Sequence, residues 1–404
     1  MTPADLSLTV LRAVRSAVDD GALTVAGDQV PDVVRVERPR PGGLGDYASN
    51  VALTLARAAH RPPLDVAAIL RDRLHPSPGI AAVDITGPGF LNFTLRRDAR
   101  HDLVREILRR GDRYGRLAPT GDVAQPVHRA DVRAAVTADA VRRILVSQGY
   151  AVRTACEDAA DPAWADLGVR IEAQDARGRL ATDIAPLPVP YTATELLRRF
   201  GRDAARWGLL CAAAHDRAPL DDLLLRQHES NPLFRVRYAH ARARGLTRNA
   251  ARLGFGSRPP QPRAHQAEAP TATPADYPAG PPPELPAQTP PAPQAEAPAG
   301  PSVDPAPQPP ADTPPHPLGD PLLRALGDHP AVLAVAARHR APDRVARHLE
   351  VVADALLDFQ HTVLPLGDEK PSAAHRSRLA LAEAAGVVLA GGLSLLGISA
   401  PDQI

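Results

Sequence analysis

Three patterns of apolar and polar residues divide this chain, and each predicts a different kind of structure. Helical spacing dominates both ends. Leu6 to Val18 carries apolar residues at three- and four-residue steps, and Tyr47 to Arg57 places Val51, Leu55 and Ala58 on one face. Near the other end, Val345, Leu349, Val352, Leu356, Phe359 and Val363 form one stripe, closed by Pro365 and Gly367. Strand alternation is shorter. It covers Val33 to Glu37, after which Gly42-Gly43 and Gly45 predict a turn. It returns at Ile80–Ile85 and Phe90–Leu95, joined by the turn signal Gly87-Pro88-Gly89. Residues 257–318 have neither period. Roughly half of the 45 prolines lie there with almost no large apolar residue, which predicts disordered or polyproline-like chain.

These patterns predict an α+β protein in four parts. Residues 1–117 mix helices and strands and close on a helix from Arg97 to Arg110. Residues 118–225 hold a helix over 132–148 stopped by Gly149, a strand at 150–154, and two short runs, 169–173 and 180–184, that could pair as a hairpin. Helices over 192–199 and 203–214 follow, and Asp221-Asp222 reads as a further helix start. So short an alternation cannot make a large parallel sheet. Residues 226–256 are an arginine-rich helix, opened by Asn231-Pro232, because proline costs no hydrogen bond at the first helical position. Residues 319–404 are helical, with a further helix over 371–389 and an apolar piece at 393–398. With helix 231–253 they should pack as one bundle across the 257–318 linker.

Composition narrows the chemistry. Net charge is +1, so any nucleic-acid surface must come from local arginine stripes. Lys370 is the one lysine. Cys156 and Cys211 stand apart without partners at metal spacing, which argues against zinc and against a disulfide scaffold. Asp158, Asp161 and Asp166 are spaced like a surface acidic patch, and no phosphate-binding loop or nucleophile elbow occurs. No metal is expected. The N-terminus lacks a basic, apolar leader and no uninterrupted apolar run reaches membrane-spanning length, so no membrane partner and a cytoplasmic location are expected.

The 231–253 helix holds the densest candidate chemistry. Arg237, Arg244, Arg248 and Arg252 fall at i, i+7, i+11 and i+15, within one face, beside Tyr238, His240 and Arg242. Guanidinium groups and an aromatic ring on one helix suit phosphates and stacked bases. The other reading is a solvated arginine face, with His240 a hydrogen-bonded core residue.

Three segments resemble the arginyl-tRNA synthetases. Gly45-Asp46-Tyr47-Ala48-Ser49-Asn50-Val51-Ala52 and Gly87-Pro88-Gly89-Phe90-Leu91-Asn92-Phe93 are similar to two runs of that family's N-terminal module. The resemblance implies that Phe90 stacks on, and Asn92 hydrogen-bonds to, a base of the tRNA D-loop. Tyr238-Ala239-His240-Ala241-Arg242 matches the opening helix of the family's DALR-type anticodon-binding domain, and Arg347–Ala353, Phe359, Val363–Pro365, Arg378–Leu381 and Leu389–Ile398 fit its remainder. That implies anticodon-arm contacts for Arg237, Tyr238, His240, Arg242, Arg244, Arg248 and Arg252, and tRNA as partner. The family commonly closes on a tail ending in methionine; Pro401-Asp402-Gln403-Ile404 departs from it, which leaves selection of arginine tRNAs open.

The middle departs furthest. Where a class I synthetase has a HIGH-type turn, this chain has His128-Arg129-Ala130-Asp131. His128 is the lone remnant, and Asp131 brings the wrong charge to a triphosphate. Where a KMSKS-type loop would put its lysine, the chain has Ile184-Ala-Pro-Leu-Pro-Val-Pro190. The reading is therefore a reduced remnant of a nucleotide-binding domain between two tRNA-holding modules. The expected function is a non-catalytic, synthetase-like tRNA-binding protein with no catalytic residue and no cofactor. Two alternatives stay open. One is an active, ATP-dependent arginine–tRNA ligase with an unusual site. The other is an interaction scaffold that meets a protein partner through the bundle and the proline-rich linker.

Overall fold

Residues 3–95 fold as three helices against an antiparallel sheet in a computed structural model of the chain. The structure describes residues 3–26, 29–39, 44–75, 77, 79–170, 172–174, 181–257 and 319–404. Gly42-Gly43 of the expected turn and residues 258–318 of the linker lie outside them.

Helices α1 (Pro3–Asp19), α2 (Val51–Ala58) and α3 (Pro63–Leu74) pack on strands β1 (Tyr47–Ser49), β2 (Ile80–Thr86) and β3 (Phe90–Leu95), in the order β1-β3-β2. Two expectations fail here. Val33–Glu37 forms no strand: Glu37 makes a single antiparallel bridge to Ala48. Tyr47 to Ser49 is strand and not helix, because pairing with Leu91–Phe93 satisfies its backbone before α2 begins at Val51. The β2–β3 hairpin forms as expected, with Asn92 opposite Asp84 on one side and Ala48 on the other. Its turn needs glycine at position 89: φ is +132°, and a Cβ there would lie 2.9 Å from the Pro63 carbonyl oxygen. Leu6, Val10, Leu55, Leu70 and Phe93 gather in this module's own core.

Helix α4 (Arg97–Arg110) belongs to a second core, as does Tyr114, whose hydroxyl donates to Leu326 O at 3.0 Å. That core runs without a break through the middle of the chain and the helical bundle. Helix α5 (Val132–Ser147) follows the two-residue strands β4 (Val123–Ala124) and β5 (Val127–His128); β6 (Ala151–Val152), β7 (Ala155–Cys156) and β8 (Ala173–Gln174) come after it. All pairings here are parallel: β4 with β6, and β5-β7-β8 in that order. Among the described residues the expected 169–173/180–184 hairpin does not form. Residue 173 pairs with β7, whereas Ile184 bridges His128 on the opposite edge. The result is two small parallel sheets with α5 as their shared crossover, the arrangement a nucleotide-binding fold begins with.

Helix α6 (Ala193–Leu210) is capped by a reciprocal Thr192–Glu195 box and broken at Gly201, whose φ of 73° separates the two predicted helices. Asp221 caps a short 3-10 turn at Asp222–Leu225. Helix α7 (Pro232–Arg252) starts on the Asn231 cap, whose side chain accepts from Leu233 N and Phe234 N. It packs with α9 (Asp343–Phe359) and α10 (Ala373–Leu395), and α8 (Gly319–His339) packs on α9. The stripe Val345–Val363 is buried along its whole length. The predicted 371–389 helix and the 393–398 piece join in α10. Contrary to expectation, α10 is long and apolar enough to cross a membrane; 61% of that window is buried in the bundle, which accounts for its composition.

The middle and the bundle are bound by a buried ion cluster. Asp139 on α5 accepts from Arg142 (3.0 Å), Arg143 (2.9 Å) and Arg206 (2.7 Å). Arg206 also donates to Leu167 O and Leu396 O, both at 2.8 Å.

Candidate nucleic-acid interface and catalytic edge

The sheet face of β3 presents Phe90 and Asn92 side by side, because strand residues two apart share a face. Their environments differ. Phe90 is 39% exposed beside the turn, whereas Asn92 is 4% exposed. The Asn92 amide donates to Thr86 Oγ1 at 2.6 Å. The structure thus leaves the Phe90 ring open to solvent and buries Asn92, where it braces the hairpin. The central position of β3 explains this. A residue there is flanked by two strands and is covered from both sides.

On α7, Arg237, Arg242, Arg244 and Arg248 are not free. Arg237 Nη1 lies 3.8 Å from Asp203 Oδ2 and Nη2 donates to Ser399 Oγ at 3.4 Å. Arg242 Nε donates to Gln360 Oε1 at 2.5 Å. Arg244 meets the Asp402 carboxylate through Nε (3.1 Å) and Nη2 (3.4 Å), and Arg248 Nη2 donates to Asp402 O at 3.3 Å. His240 is buried, and Nδ1 donates to Pro401 O at 3.0 Å; burial holds its pKa below the ordinary histidine value. His240 is therefore a core residue that pins the tail, not an open contact. Arg252 and Tyr238 are exposed. Tyr238 stacks on Phe234 with centroids 5.8 Å apart and planes 14° from parallel, a two-ring platform in which Phe234 was not foreseen. Beside it a cavity of about 760 Å³ opens between α6, α7 and the tail, lined by Arg202, Arg226, Phe234, Arg237 and Ile404.

The third place is the carboxyl edge of the parallel strands, where α/β sheets bind ligands. His128 is buried against Trp164, and Nδ1 donates to Arg129 O at 2.8 Å. Burial depresses its pKa, so the ring is neutral. Asp131 caps α5: Oδ1 accepts from Ala134 N at 2.9 Å, and Oδ2 is buried with no partner. Glu157, just past β7, accepts from Ala130 N at 3.1 Å and from Thr182 Oγ1 at 2.8 Å. Two carboxylates thus occupy amide hydrogens that would otherwise face an anion. The signal for Glu157 was its position directly after a parallel strand. Arg129 in the turn is exposed, and Arg340 is paired to Asp183 at 3.0 Å. Among the described residues no cluster of acids, histidines and cysteines could hold a metal ion, and Cys156 and Cys211 are free thiols.

Family models match the two ends of the chain, and several relatives align along all of it. A family model described as the arginyl tRNA synthetase N terminal domain matches residues 9–95, and one described as the DALR anticodon binding domain matches residues 312–404. The arginine–tRNA ligase of Frankia alni is 30% identical over 606 aligned positions that span all of both chains. That of Pseudarthrobacter chlorophenolicus is 27% identical over 602 positions, again spanning both. Since the chain has 404 residues, much of each relative's length falls opposite gaps. Among solved structures, the arginyl-tRNA synthetase of Thermus thermophilus superposes with a TM-score of 0.60 at 14% identity, and that of Plasmodium falciparum with 0.57 at 8%, each covering all of both chains. These whole-length matches overturn the expectation of a non-catalytic protein. The similarity runs through the middle of the chain as well as its ends, and the full-length relatives are ligases.

Proposed function

The chain belongs to the arginyl-tRNA synthetase family, and on that premise we propose that it joins arginine to tRNA at the expense of ATP. The observation that carries this reading is the 30% identity to an arginine–tRNA ligase across the full span of both chains. The fold supports it, with small parallel sheets, a crossover helix and a DALR-like bundle on one core. Charging of bulk tRNA with labelled arginine in the presence of magnesium ATP tests it directly. Acid-precipitable arginine above a no-ATP control is expected, and its absence sinks the reading.

tRNA would meet the chain at two places. Phe90 offers a base-stacking ring at one end, and the α7 surface with Tyr238, Phe234 and Arg252 offers a platform and charge at the other. Phe90→Ala is expected to weaken tRNA binding by about 1–3 kcal/mol, the worth of one stacked base. The salt dependence should stay unchanged, since the ring carries no charge. Filter binding across a salt series reads both.

ATP, as the second substrate, would approach the β5–α5 edge. No lysine precedes Lys370, so side-chain cation there comes from arginine, and Arg129 is the exposed one. The Glu157 carboxylate opposes a triphosphate at this edge. Neutralising it in Glu157→Gln, which keeps an oxygen for Ala130 N, should lower the KM for ATP roughly five-fold, the ~1 kcal/mol of one like-charge contact in water. An unchanged or raised KM would remove Glu157 from the edge's electrostatics.

A further inference from the structure

Segment 399–404 lies along α7 and is held at two kinds of contact. Its base is clasped: Ser399 N donates to Asp203 Oδ1 at 3.3 Å, Ser399 Oγ donates to Asp203 Oδ2, and Pro401 O accepts from buried His240. Beyond Pro401 the contacts change character. Asp402 takes the forked guanidinium of Arg244 through both carboxylate oxygens, and its backbone oxygen accepts from Arg248. Arg244 and Asp402 are both half exposed, with side chains 51% and 59% accessible. Hydrogen bonding to Arg244 holds the Asp402 carboxyl below the usual carboxylate range, so it is ionised at neutral pH.

A planar fork closed on two anionic oxygens is the geometry by which arginine also takes a phosphodiester. We propose that Arg244 and Arg248 form a subsite for one RNA phosphate, which Asp402 fills in the free chain and yields when RNA binds. The inference rests on the tRNA-binding part of the function proposed above. The clasp at Ser399 and Pro401 keeps the segment in place, while the exposed ion pair beyond it is weak enough to exchange. Asp402 then acts as an internal competitor. It sets how tightly α7 grips RNA and lowers the salt dependence by pre-neutralising the pair.

The test uses the full chain, bulk tRNA and three variants of the Arg–Asp set. Asp402→Asn should tighten tRNA binding about two- to five-fold at low salt, the range of one exposed ion pair. It should also steepen the log K against log salt plot by roughly one unit. Arg244→Gln with Arg248→Gln should weaken binding, and adding Asp402→Asn to that double variant should change nothing further. Binding that D402N leaves unchanged or weakens, or a gain that persists without the two arginines, overturns the proposal. If the wild-type chain binds tRNA and only the D402N effect is missing, the subsite fails and the tRNA reading stands. If neither wild type nor D402N binds tRNA at low salt, both fall.

Discussion

Asp139→Asn is expected to cost about 3–5 kcal/mol of folding stability, the penalty for leaving a buried charge without its partner. Both side chains of the Asp139–Arg206 pair are inaccessible. Burial pushes the Asp139 carboxyl up, but Arg206, Arg143 and Arg142 outweigh it and hold the group below the ordinary carboxylate range. Burial lowers the Arg206 pKa against the pull of Asp139, from a reference high enough that the guanidinium stays charged. Removing the carboxylate strands that charge between α5, the Leu167 turn and Leu396 of the bundle. The damage should therefore spread across the core that the middle and the bundle share. A urea melt reads the loss. The double variant Asp139→Asn with Arg206→Met should recover most of it, because an apolar side chain of similar length needs no counter-charge. A loss below about 1 kcal/mol, the worth of an exposed pair, would contradict the account.

Acidification from pH 7 to pH 5 is expected to remove about 4 kcal/mol through one pair of histidines. His329 and His348 stack in the bundle with centroids 5.3 Å apart, and His329 stacks in turn on Tyr114. Burial, and for His329 the neighbouring His348, push their pKa values down to about 3 and about 4. The sign follows from linkage. Between the unfolded value near 6.5 and these folded values, the unfolded chain binds protons that the folded chain refuses. Stability is therefore full above about pH 6.5 and falls as pH drops. Nearby Asp328 works against the shift at His348 without reversing it. His329 Nδ1 and His348 Nε2 are buried without a partner, so the neutral ring, which can leave that nitrogen unprotonated, is tolerated where a charged ring would bury an unpaired N–H. His329→Phe should halve the acid loss, measured as the difference between denaturant midpoints at pH 7 and pH 5. An acid loss unaltered in that variant would place the titration elsewhere.

Local signals in the chain were sufficient for much of the fold. The α7 start at Asn231-Pro232, the α6 break at Gly201, the β2–β3 turn and the α9 stripe each depend on neighbours in sequence, and each was legible. Failures came where a distant partner decides. Tyr47–Ser49 has helical spacing, yet β3 supplies ladder bonds and makes it a strand. The 169–173 and 180–184 runs look like a hairpin, yet β5 and β7 stand between them. The site followed the same rule. Residue types on α7 were visible, but their partners lie 118 to 162 positions away at Gln360, Ser399 and Asp402, and no periodicity reports that. His240 and Asn92 show the consequence: both carry polar groups suited to RNA, and both spend them inside the protein. The substitutions at the β5–α5 turn were equally plain in sequence. Their inference to a non-catalytic chain did not survive the whole-length similarity to ligases.

Ligation of arginine to tRNA by this chain has to proceed despite the carboxylates at its nucleotide edge. Arginine-dependent ATP–pyrophosphate exchange, run with tRNA present, tests it most directly. Exchange that requires arginine and strengthens in Glu157→Gln at limiting ATP is expected. A folded chain that binds tRNA and gives no exchange above the arginine-free control, in wild type and variant alike, would contradict it.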